Sequence, residues 1–464
     1  MVNTNRLRSP QCVLPLGLCQ VAAAAETAGH TVELLDLCFE RSPDRSICRA
    51  VRDFAPDVIA LSIRNLDNSD AISPESYLGD LQSIVDAFRN CHSGPIVLGG
   101  PGVSIAPTTL VSRLGADYAF VGEGETSFPR FLDCLAGSRE PEHDCGVIGC
   151  VRDATPSPMP ISMLRRLRLG CYATFGTPMP IQTKRGCALK CVYCTYPAIE
   201  GADYRFKPAT LVADEIEAGA SLGAFRSVEF VDSTFNHPAD HAFAVCAELE
   251  RRGNRIPLHT TSINPSAVST ELLRLMERAG FVAIAASLES ASDEVLSALK
   301  KGYTSKDVAD TVRSSHMTSM ARMWVFIFGG PGETEFTANE TLGFIRKHVN
   351  ERDLVLVTCG LRIYPHTELQ QIAMREGVLN GSEDLLKPTF YFSPGVSRER
   401  LMKMISGAGL SRSGTVFISD IGSAALPFVQ RIHTAIGLPP PYWRHAGAMM
   451  RLKRISRRGI GALR

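Results

Sequence analysis

Short apolar runs alternate with amphipathic helical patterns through the first 136 residues of the chain. The apolar runs have the length of strands and cover Val32–Leu37, Val58–Ile63, Ile96–Gly99 and Tyr118–Val121. The helical patterns between them cover Leu16–Ala28, Arg45–Phe54, Tyr77–Cys91 and Glu125–Leu135. This alternation is typical of a doubly wound parallel sheet, which binds ligands outside the carboxyl ends of its strands. We therefore predict a Rossmann-like α/β domain over residues 1–136, with its first strand close to Asn3.

The same alternation returns later in the chain with a longer period. Residues 137–178 are polar and rich in proline, which predicts a linker. Six further strand patterns follow, at Ile181–Lys184, Ser227–Asp232, Pro257–Ile263, Val282–Leu288, Met323–Phe328 and Leu354–Leu361. They predict a partial (β/α)6 TIM-like barrel over residues 179–393, whose chemistry belongs at the carboxyl ends of the strands. Helical patterns in residues 394–464 predict a small helical cap over the barrel mouth.

Composition and charge exclude several classes of protein. The 464 residues suffice for about three domains, and 45% hydrophobic with 21% charged residues is ordinary for a globular protein. A net charge of +1 gives no general reason to expect nucleic-acid binding, although the tail Arg451–Arg464 is basic. The sequence contains no uninterrupted apolar run of about 18 residues, the length that would predict a membrane span. Because the sequence shows no export signal, its fourteen cysteines are expected to be free thiols in the cytoplasm.

Three cysteines with short spacing follow the first predicted barrel strand. Cys187, Cys191 and Cys194 form a C-x3-C-x2-C motif. Three thiolates can hold a four-iron cluster and leave one iron open to a ligand that is not protein. A zinc knuckle completed by a remote residue such as Cys171, or three reduced core cysteines, also explains the spacing. The spacing by itself leaves these alternatives open.

Polar residues and glycines stand at the carboxyl ends of the predicted strands in both domains. In the first domain they are Ser62, Arg64, Asn65, Gly99, Gly100, Gly122 and Glu123. In the barrel they are Asp232, Ser233, Ser287, Glu289, Gly329, Gly330, Pro331, Gly332 and Glu333. Glycine lets the backbone approach a bulky ligand, and a carboxylate can accept hydrogen bonds from ribose hydroxyls. A tight turn or a surface salt bridge explains any one of them, whereas the whole set indicates ligand binding.

The cysteine motif, with Tyr193 before its last cysteine, resembles that of the radical S-adenosylmethionine (SAM) superfamily. The segments Phe230–Asn236, Ser287–Ser290, Leu299–Gly302 and Phe328–Thr334 resemble the rest of that family's barrel. The resemblance implies that Cys187, Cys191 and Cys194 hold a [4Fe-4S] cluster whose open iron binds SAM. It also implies that Tyr193 and the barrel strand-end residues named above contact SAM.

The first domain resembles the cobalamin-binding domain that precedes the radical SAM barrel in a large subfamily. The resemblance rests on Pro15–Leu18, Gly29–His30, Ser62–Asn65, Gly99–Gly100 and Gly122–Glu125. It implies that the strand-end residues of this domain hold cobalamin. The Asp-x-His-x-x-Gly segment that supplies a cobalt-binding histidine elsewhere is absent. The resemblance therefore implies cobalamin with its base displaced and no protein histidine on cobalt.

The resemblance implies a cobalamin-dependent radical SAM C-methyltransferase. Such an enzyme uses a 5′-deoxyadenosyl radical and methylcobalamin to methylate an unactivated carbon of a small metabolite. An electron donor of the flavodoxin or ferredoxin type is then expected as a partner. One alternative uses the same cofactors for cyclisation or rearrangement without methyl transfer, and another is a cobalamin-binding sensor with an inert barrel.

Overall fold

The computed structural model describes residues 1–408, 410, 414–417 and 426–445. Two parallel sheets flanked by helices form the two successive domains. Within the described residues, no helix is both long enough and apolar enough to cross a membrane. The basic tail noted in the sequence lies outside the described residues.

The first domain is built on a six-stranded parallel sheet. Its strands are β1 (Val2–Asn3), β2 (Leu35–Asp36), β3 (Ile59–Ser62), β4 (Ile96–Gly99), β5 (Tyr118–Val121) and β6 (Val147–Gly149). The order β2-β1-β3-β4-β5-β6 is that of a doubly wound fold, as predicted. The edge strand β6 comes from the predicted linker, where Val147 and Ile148 pair with β5. The linker prediction is therefore wrong for these three residues.

Six helices flank this sheet, and four of them lie within two residues of their predicted ends. They are α1 (Leu16–Thr27), α2 (Pro43–Phe54), α3 (Leu78–Arg89), α4 (Pro101–Ile105), α5 (Pro107–Leu114) and α6 (Gly124–Ala136). Helix α2 shows two features that predict a helix from sequence. Pro43 is its first residue, and its buried residues Ile47 and Val51 are four positions apart. The short helices α4 and α5 were not predicted. They follow the glycine-rich end of β4.

The second domain contains a seven-stranded parallel sheet curved into a partial barrel. The strands of this part of the chain are β7 (Met179–Ile181), β8 (Lys184–Arg185), β9 (Arg205–Phe206), β10 (Val228–Phe230), β11 (Leu258–Ile263), β12 (Phe281–Glu289), β13 (Ala321–Phe328), β14 (Leu354–Cys359), β15 (Leu361–Arg362), β16 (Phe390–Tyr391) and β17 (Gly414–Phe417). The large sheet has the order β17-β14-β13-β12-β11-β10-β7, while β8 pairs with β9 and β15 with β16. The predicted partial barrel is confirmed. Its seventh strand, β17, comes from the region predicted to be helical, which corrects that expectation for residues 414–417.

Helices connect the barrel strands and cover the outside of the sheet. Those described after residue 150 are α7 (Ile161–Leu164), α8 (Leu169–Thr174), α9 (Tyr196–Glu200), α10 (Ala209–Ala220), α11 (Ala239–Arg251), α12 (Thr270–Arg278), α13 (Asp293–Ala298), α14 (Ser305–Ser315), α15 (Glu335–His348), α16 (Glu368–Arg375), α17 (Arg398–Gly407) and α18 (Leu426–Ala435). Side-chain caps begin several of them, as at Ser269, Thr304 and Thr334. These caps fix where each strand-to-helix loop ends.

The loop after β3 ties the first domain to the barrel. The guanidinium of Arg362 donates from Nε to Oδ2 of Asp67 at 2.8 Å, and both side chains are buried. Tyr364 and Ser69 share a hydrogen bond of 3.0 Å, and Arg398 donates to the carbonyl of Ala71. The carboxyl end of β3 is thereby held against the mouth of the barrel.

We predict that Asp67→Asn lowers the free energy of unfolding by about 3 kcal/mol, because it leaves the buried Arg362 charge without its counter-ion. Urea unfolding followed by circular dichroism measures the change. The matched control is Asp53→Asn, which breaks the exposed Arg52–Asp53 pair and should change stability by less than about 0.5 kcal/mol. Equal effects of the two variants would contradict the role of the buried pair in joining the domains.

Candidate functional site

The three cysteines lie in the loop that joins β8 to α9, close to the carboxyl end of β7. The backbone N–H of Cys187 donates to the carbonyl of Gly201 at 3.0 Å, and that of Cys194 donates to Cys191 at 3.1 Å. Gly186 precedes them with φ +88°, and a Cβ there would lie 2.0 Å from the carbonyl oxygen of Asp203. Only glycine fits this position. The loop therefore has a fixed path that carries all three thiols.

Burial controls the acidity of two of these thiols. It raises the pKa of Cys194 to about 11 and raises the pKa of Cys191 above its usual value. Binding to iron would therefore displace protons from these thiols. Three thiols in one loop are a donor set that suits an iron–sulfur cluster. In the described part of the chain, no three His, Cys, Asp or Glu side chains stand close enough together to hold a single metal ion.

Tyr193 and Glu289 meet next to the cysteine loop around a lysine. The hydroxyl of Tyr193 donates to Oε1 of Glu289 at 2.5 Å. The ammonium of Lys301 donates to the same Oε1 at 3.0 Å and to the Tyr193 hydroxyl at 2.9 Å. Sequence reasoning did not include Lys301 among the site residues, although it lies in Leu299–Gly302, a segment already matched to the family. Its distance of twelve positions from Glu289 gave no sign of contact.

The second carboxylate oxygen of Glu289 has no partner. Oε2 is buried without a hydrogen bond, and the residue itself has φ +62° at the end of β12. A buried carboxylate oxygen is normally satisfied, so this acceptor fits the hydroxyl groups of a ligand. Ser287, two positions earlier, is exposed although its neighbours Ala286 and Leu288 are completely buried. Ser287 therefore faces open space, whereas the unpaired Glu289 oxygen is enclosed, and the contact of both residues with SAM stays a prediction.

Asp232 and Ser233 lie beneath the cysteine loop. The Asp232 carboxylate accepts hydrogen bonds from the backbone of Thr183 and Lys184 and from the Thr183 hydroxyl, and it has no exposed surface. The Ser233 hydroxyl donates to the carbonyl of Gly186 at 2.9 Å. The geometry gives these two side chains a bracing role. The direct contact with SAM that the sequence predicts for them stays a prediction.

The glycine-rich turn after β13 is shaped by its own acidic residue. Oε2 of Glu333 accepts from the N–H of Gly329 at 2.9 Å, and burial raises the pKa of Glu333 to about 7. Gly329 and Gly332 both have positive φ, so the turn needs glycine at these positions. Gly330 and Pro331 lie between them. The turn therefore presents backbone to the barrel mouth, while the Glu333 carboxylate points back into the turn.

Glu123 of the first domain forms an ion-pair network with the start of the cysteine loop. Arg185 donates to Glu123 at 2.9 Å and to Glu125 at 2.6 Å, and Arg205 also contacts Glu123. Burial raises the pKa of Glu123, but the two arginines outweigh it and hold the pKa below its ordinary value. The Glu123 side chain thus joins the domains. If Glu123 binds cobalamin as the sequence predicts, its backbone would make the contact, because its side chain is already paired with arginines.

The other strand-end residues of the first domain surround an open space. Arg64 and Asn65 are exposed after β3, beside the half-buried Ser62, and a Cβ on Gly99 would meet no atom within 4 Å. Gly100, with φ +100°, packs tightly on the carbonyl of Ile63. This open, glycine-lined edge fits a large flat ligand such as a corrin.

That space lies between the two domains. Gly122 at the end of β5 approaches the carbonyl of Ile199 in α9, directly after the cysteine loop. Although Arg64 is accessible to solvent, the surrounding protein partly desolvates it and lowers its pKa, and the charges of Tyr196 and Glu229 of the barrel oppose this shift. No sequence pattern indicates a role for Glu229, whose carboxylate accepts a hydrogen bond from Gln11 at 2.8 Å. The strand ends of both sheets therefore face each other.

Comparisons with known families match both domains. Residues 3–132 match the B12 binding domain, and residues 181–345 match the Radical SAM superfamily. An uncharacterized methyltransferase of Pyrococcus horikoshii is 25% identical over 380 residues, which is 79% of each chain. The tryptophan 2-C-methyltransferase of Streptomyces laurentii is 26% identical over 453 residues, covering 80% of this chain and 73% of that protein.

Solved structures share the fold along nearly the whole chain. The radical SAM methyltransferase TsrM from Kitasatospora setae, with cobalamin and a [4Fe-4S] cluster bound, has a TM-score of 0.80 at 23% identity. The match covers 98% of both chains. The cobalamin-dependent enzyme OxsB has a TM-score of 0.66 at 17% identity, covering 88% of this chain and 67% of OxsB.

These matches confirm the two domain types and, with them, the expected cofactors. The B12 binding domain accounts for cobalamin, and the radical SAM domain accounts for the [4Fe-4S] cluster and SAM. The named relatives are methyltransferases, and the matched segment runs through both domains. The chain therefore combines the B12 binding domain and the radical SAM domain of a cobalamin-dependent radical SAM methyltransferase.

Proposed function

We propose that this protein is a C-methyltransferase that acts on an unactivated carbon of a small metabolite through radical chemistry. The observation that carries the proposal is the way the two sheets face each other. The cysteine loop and Glu289 stand at the barrel strand ends, and Arg64 and Gly99 stand at the facing strand ends of the first domain. A reacting carbon held between them would lie close to both cofactor sites.

When bound, the cluster and SAM would supply a 5′-deoxyadenosyl radical, and cobalamin would supply a methyl group. The chain's own residues hold and orient these groups. Cys187, Cys191 and Cys194 would bind the cluster, and the free oxygen of Glu289 would accept hydrogen bonds from the SAM ribose. The ion pairs of Arg185 and Arg362 close the domain boundary, which helps to exclude water from a reactive intermediate.

The wall of the barrel mouth supports a small substrate with an apolar part. Val325, Ile327 and Leu356 are half-buried on β13 and β14, on strands whose alternate residues are completely buried in the outer core. On the neighbouring strands β11 and β12, Thr261 and Ser287 expose hydroxyl groups, and Ser287 pairs directly with Val325. A relative that bears the name of a tryptophan methyltransferase has a substrate of this size and character. An apolar face and a polar face together would orient such a molecule.

The proposed reaction needs a reducing environment and an electron donor. All fourteen cysteines lie in the described part of the chain and are free thiols, which supports a reducing cytoplasm. The cluster would need one electron for each SAM cleaved, and we propose a flavodoxin or ferredoxin as the donor.

We predict that Cys187→Ala loses most of its iron and the brown absorbance of the cluster, since one of three protein ligands is removed. Cobalamin binding, which depends on the other domain, should stay near the wild-type level. Iron analysis and the visible spectrum of anaerobically reconstituted protein measure both quantities. The matched control is Cys171→Ala, outside the loop, which should keep both. If the protein instead holds zinc and Cys171→Ala loses it, the zinc-knuckle alternative is supported.

We predict that the wild-type enzyme forms both S-adenosylhomocysteine and 5′-deoxyadenosine. The test incubates reconstituted enzyme, under reducing conditions, with methyl-labelled SAM and extract of a strain lacking the gene. Liquid chromatography with mass spectrometry follows the two nucleosides and the labelled product. A product that gains one labelled methyl group supports methylation. Formation of 5′-deoxyadenosine with a product that only loses hydrogen would support cyclisation, and no SAM cleavage at all would support the sensor.

A further inference from the structure

Lys301 is the one buried cation that lies between the cysteine loop and Glu289 in the described residues. Its side chain is 8% exposed, and that of Glu289 is 1% exposed. The ammonium donates to Oε1 of Glu289 and to the Tyr193 hydroxyl, and it lies 5.2 Å from the centre of the Tyr193 ring. Because Tyr193 lies between Cys191 and Cys194, this contact places the ammonium next to the cysteine loop.

We propose that Lys301 is a positioning residue that couples the cluster site to the SAM site. It fixes Glu289 by one oxygen so that the other stays free for the ligand, and its charge makes the neighbouring cluster easier to reduce. The inference rests on the proposed function, because it takes Cys191 as a cluster ligand and Glu289 as a SAM contact.

The first half of the coupling follows from the hydrogen bonds. Oε1 of Glu289 receives two donors, Tyr193 and Lys301, while Oε2 receives none. A carboxylate bound on one side only has a defined orientation, so its free oxygen points in one direction. Tyr303 supports the lysine from the other side, with its ring centre 5.7 Å from the ammonium and its hydroxyl on the carbonyl of Ser287. The lysine is thus held in place on two sides.

The second half follows from the charge. Reduction adds one electron to the cluster from the donor protein, and no bond forms or breaks in that step. Hydrogen bonds to the cluster sulfurs, and nearby positive charge, stabilise the added electron and raise the reduction potential. The ammonium donates to Tyr193, which lies between Cys191 and Cys194 in the cysteine loop, so its removal would leave the Glu289 charge uncompensated next to the cluster. The same ammonium therefore acts on both sites.

The test measures the reduction potential of the reconstituted cluster by electron paramagnetic resonance, without SAM, together with the affinity for SAM. Lys301→Met should lower the reduced-to-oxidised ratio at a fixed potential about tenfold, which equals about 59 mV for one electron. Glu289→Gln should move the potential in the opposite direction, because it removes a negative charge. Both variants should bind SAM more weakly. Lys301→Arg keeps the charge and should restore the potential.

The matched control is Lys300→Met, one position away. Lys300 is half-exposed and pairs with Glu368 on the surface, so its loss should leave the potential and the SAM affinity unchanged. A purely structural role for Lys301 would shift the potential in the same direction in Lys301→Met and Glu289→Gln, or in neither, and that result would overturn the proposal. An unchanged potential in Lys301→Met would overturn it as well.

Two outcomes separate this inference from the proposed function. If wild-type protein takes up no iron–sulfur cluster, the proposed function fails and this inference fails with it. If the wild-type cluster forms but the variants show no shift, only the inference fails. If the Lys301→Met variant takes up no cluster, the reduction potential of the Glu289→Gln variant tests the coupling instead. A raised potential in that variant supports the coupling, and an unchanged potential overturns it.

Discussion

A buried arginine at the start of the cysteine loop fixes how the two domains meet. Arg185 lies in β8, just before Cys187, and its guanidinium is shared by Glu123, Glu125 and Gln20 of the first domain. A buried charge of this kind is tolerated only when its partners are in place, so the two domains cannot shift without breaking several bonds at once. The position of the cluster loop relative to the first sheet depends on this contact. The same contact therefore helps to hold the carboxyl ends of the two sheets opposite each other.

The sequence carried enough information for the elements and for the edge at which ligands bind. Strands that are buried on both faces are continuous apolar runs in the sequence. Such runs were sufficient to locate β3, β4 and β5. Parallel strands also place their carboxyl ends at one edge, which is why residues such as Gly99 and Glu289 could be assigned to a site before any geometry was known. The weakly patterned edge strands β6 and β17 could not be found this way. They are short, and their pairing depends on the neighbouring strand.

Side-chain partners were the part that the sequence could not supply. Asp232 and Glu123 were placed correctly at strand ends, yet their carboxylates turn to Thr183 and to Arg185. Whether a carboxylate faces a ligand or a cation depends on residues that are remote in the sequence, and one chain without relatives shows no such pairing. Lys301 was missed for the same reason. Its neighbour Lys300 has the same side chain, and only burial separates their roles.

The unsatisfied oxygen of Glu289 shows how the fold prepares its ligand site. Left without a donor, a buried carboxylate oxygen destabilises the protein, and positive φ at the same residue adds strain. The hydrogen bonds of Lys301 and Tyr193 to the other oxygen hold the carboxylate in place despite this cost. A ligand hydroxyl that reaches Oε2 removes the penalty, so part of the binding free energy is already stored in the ligand-free protein. Because Lys301 also borders the cysteine loop, we infer that a change at one site alters the electrostatic field at the other.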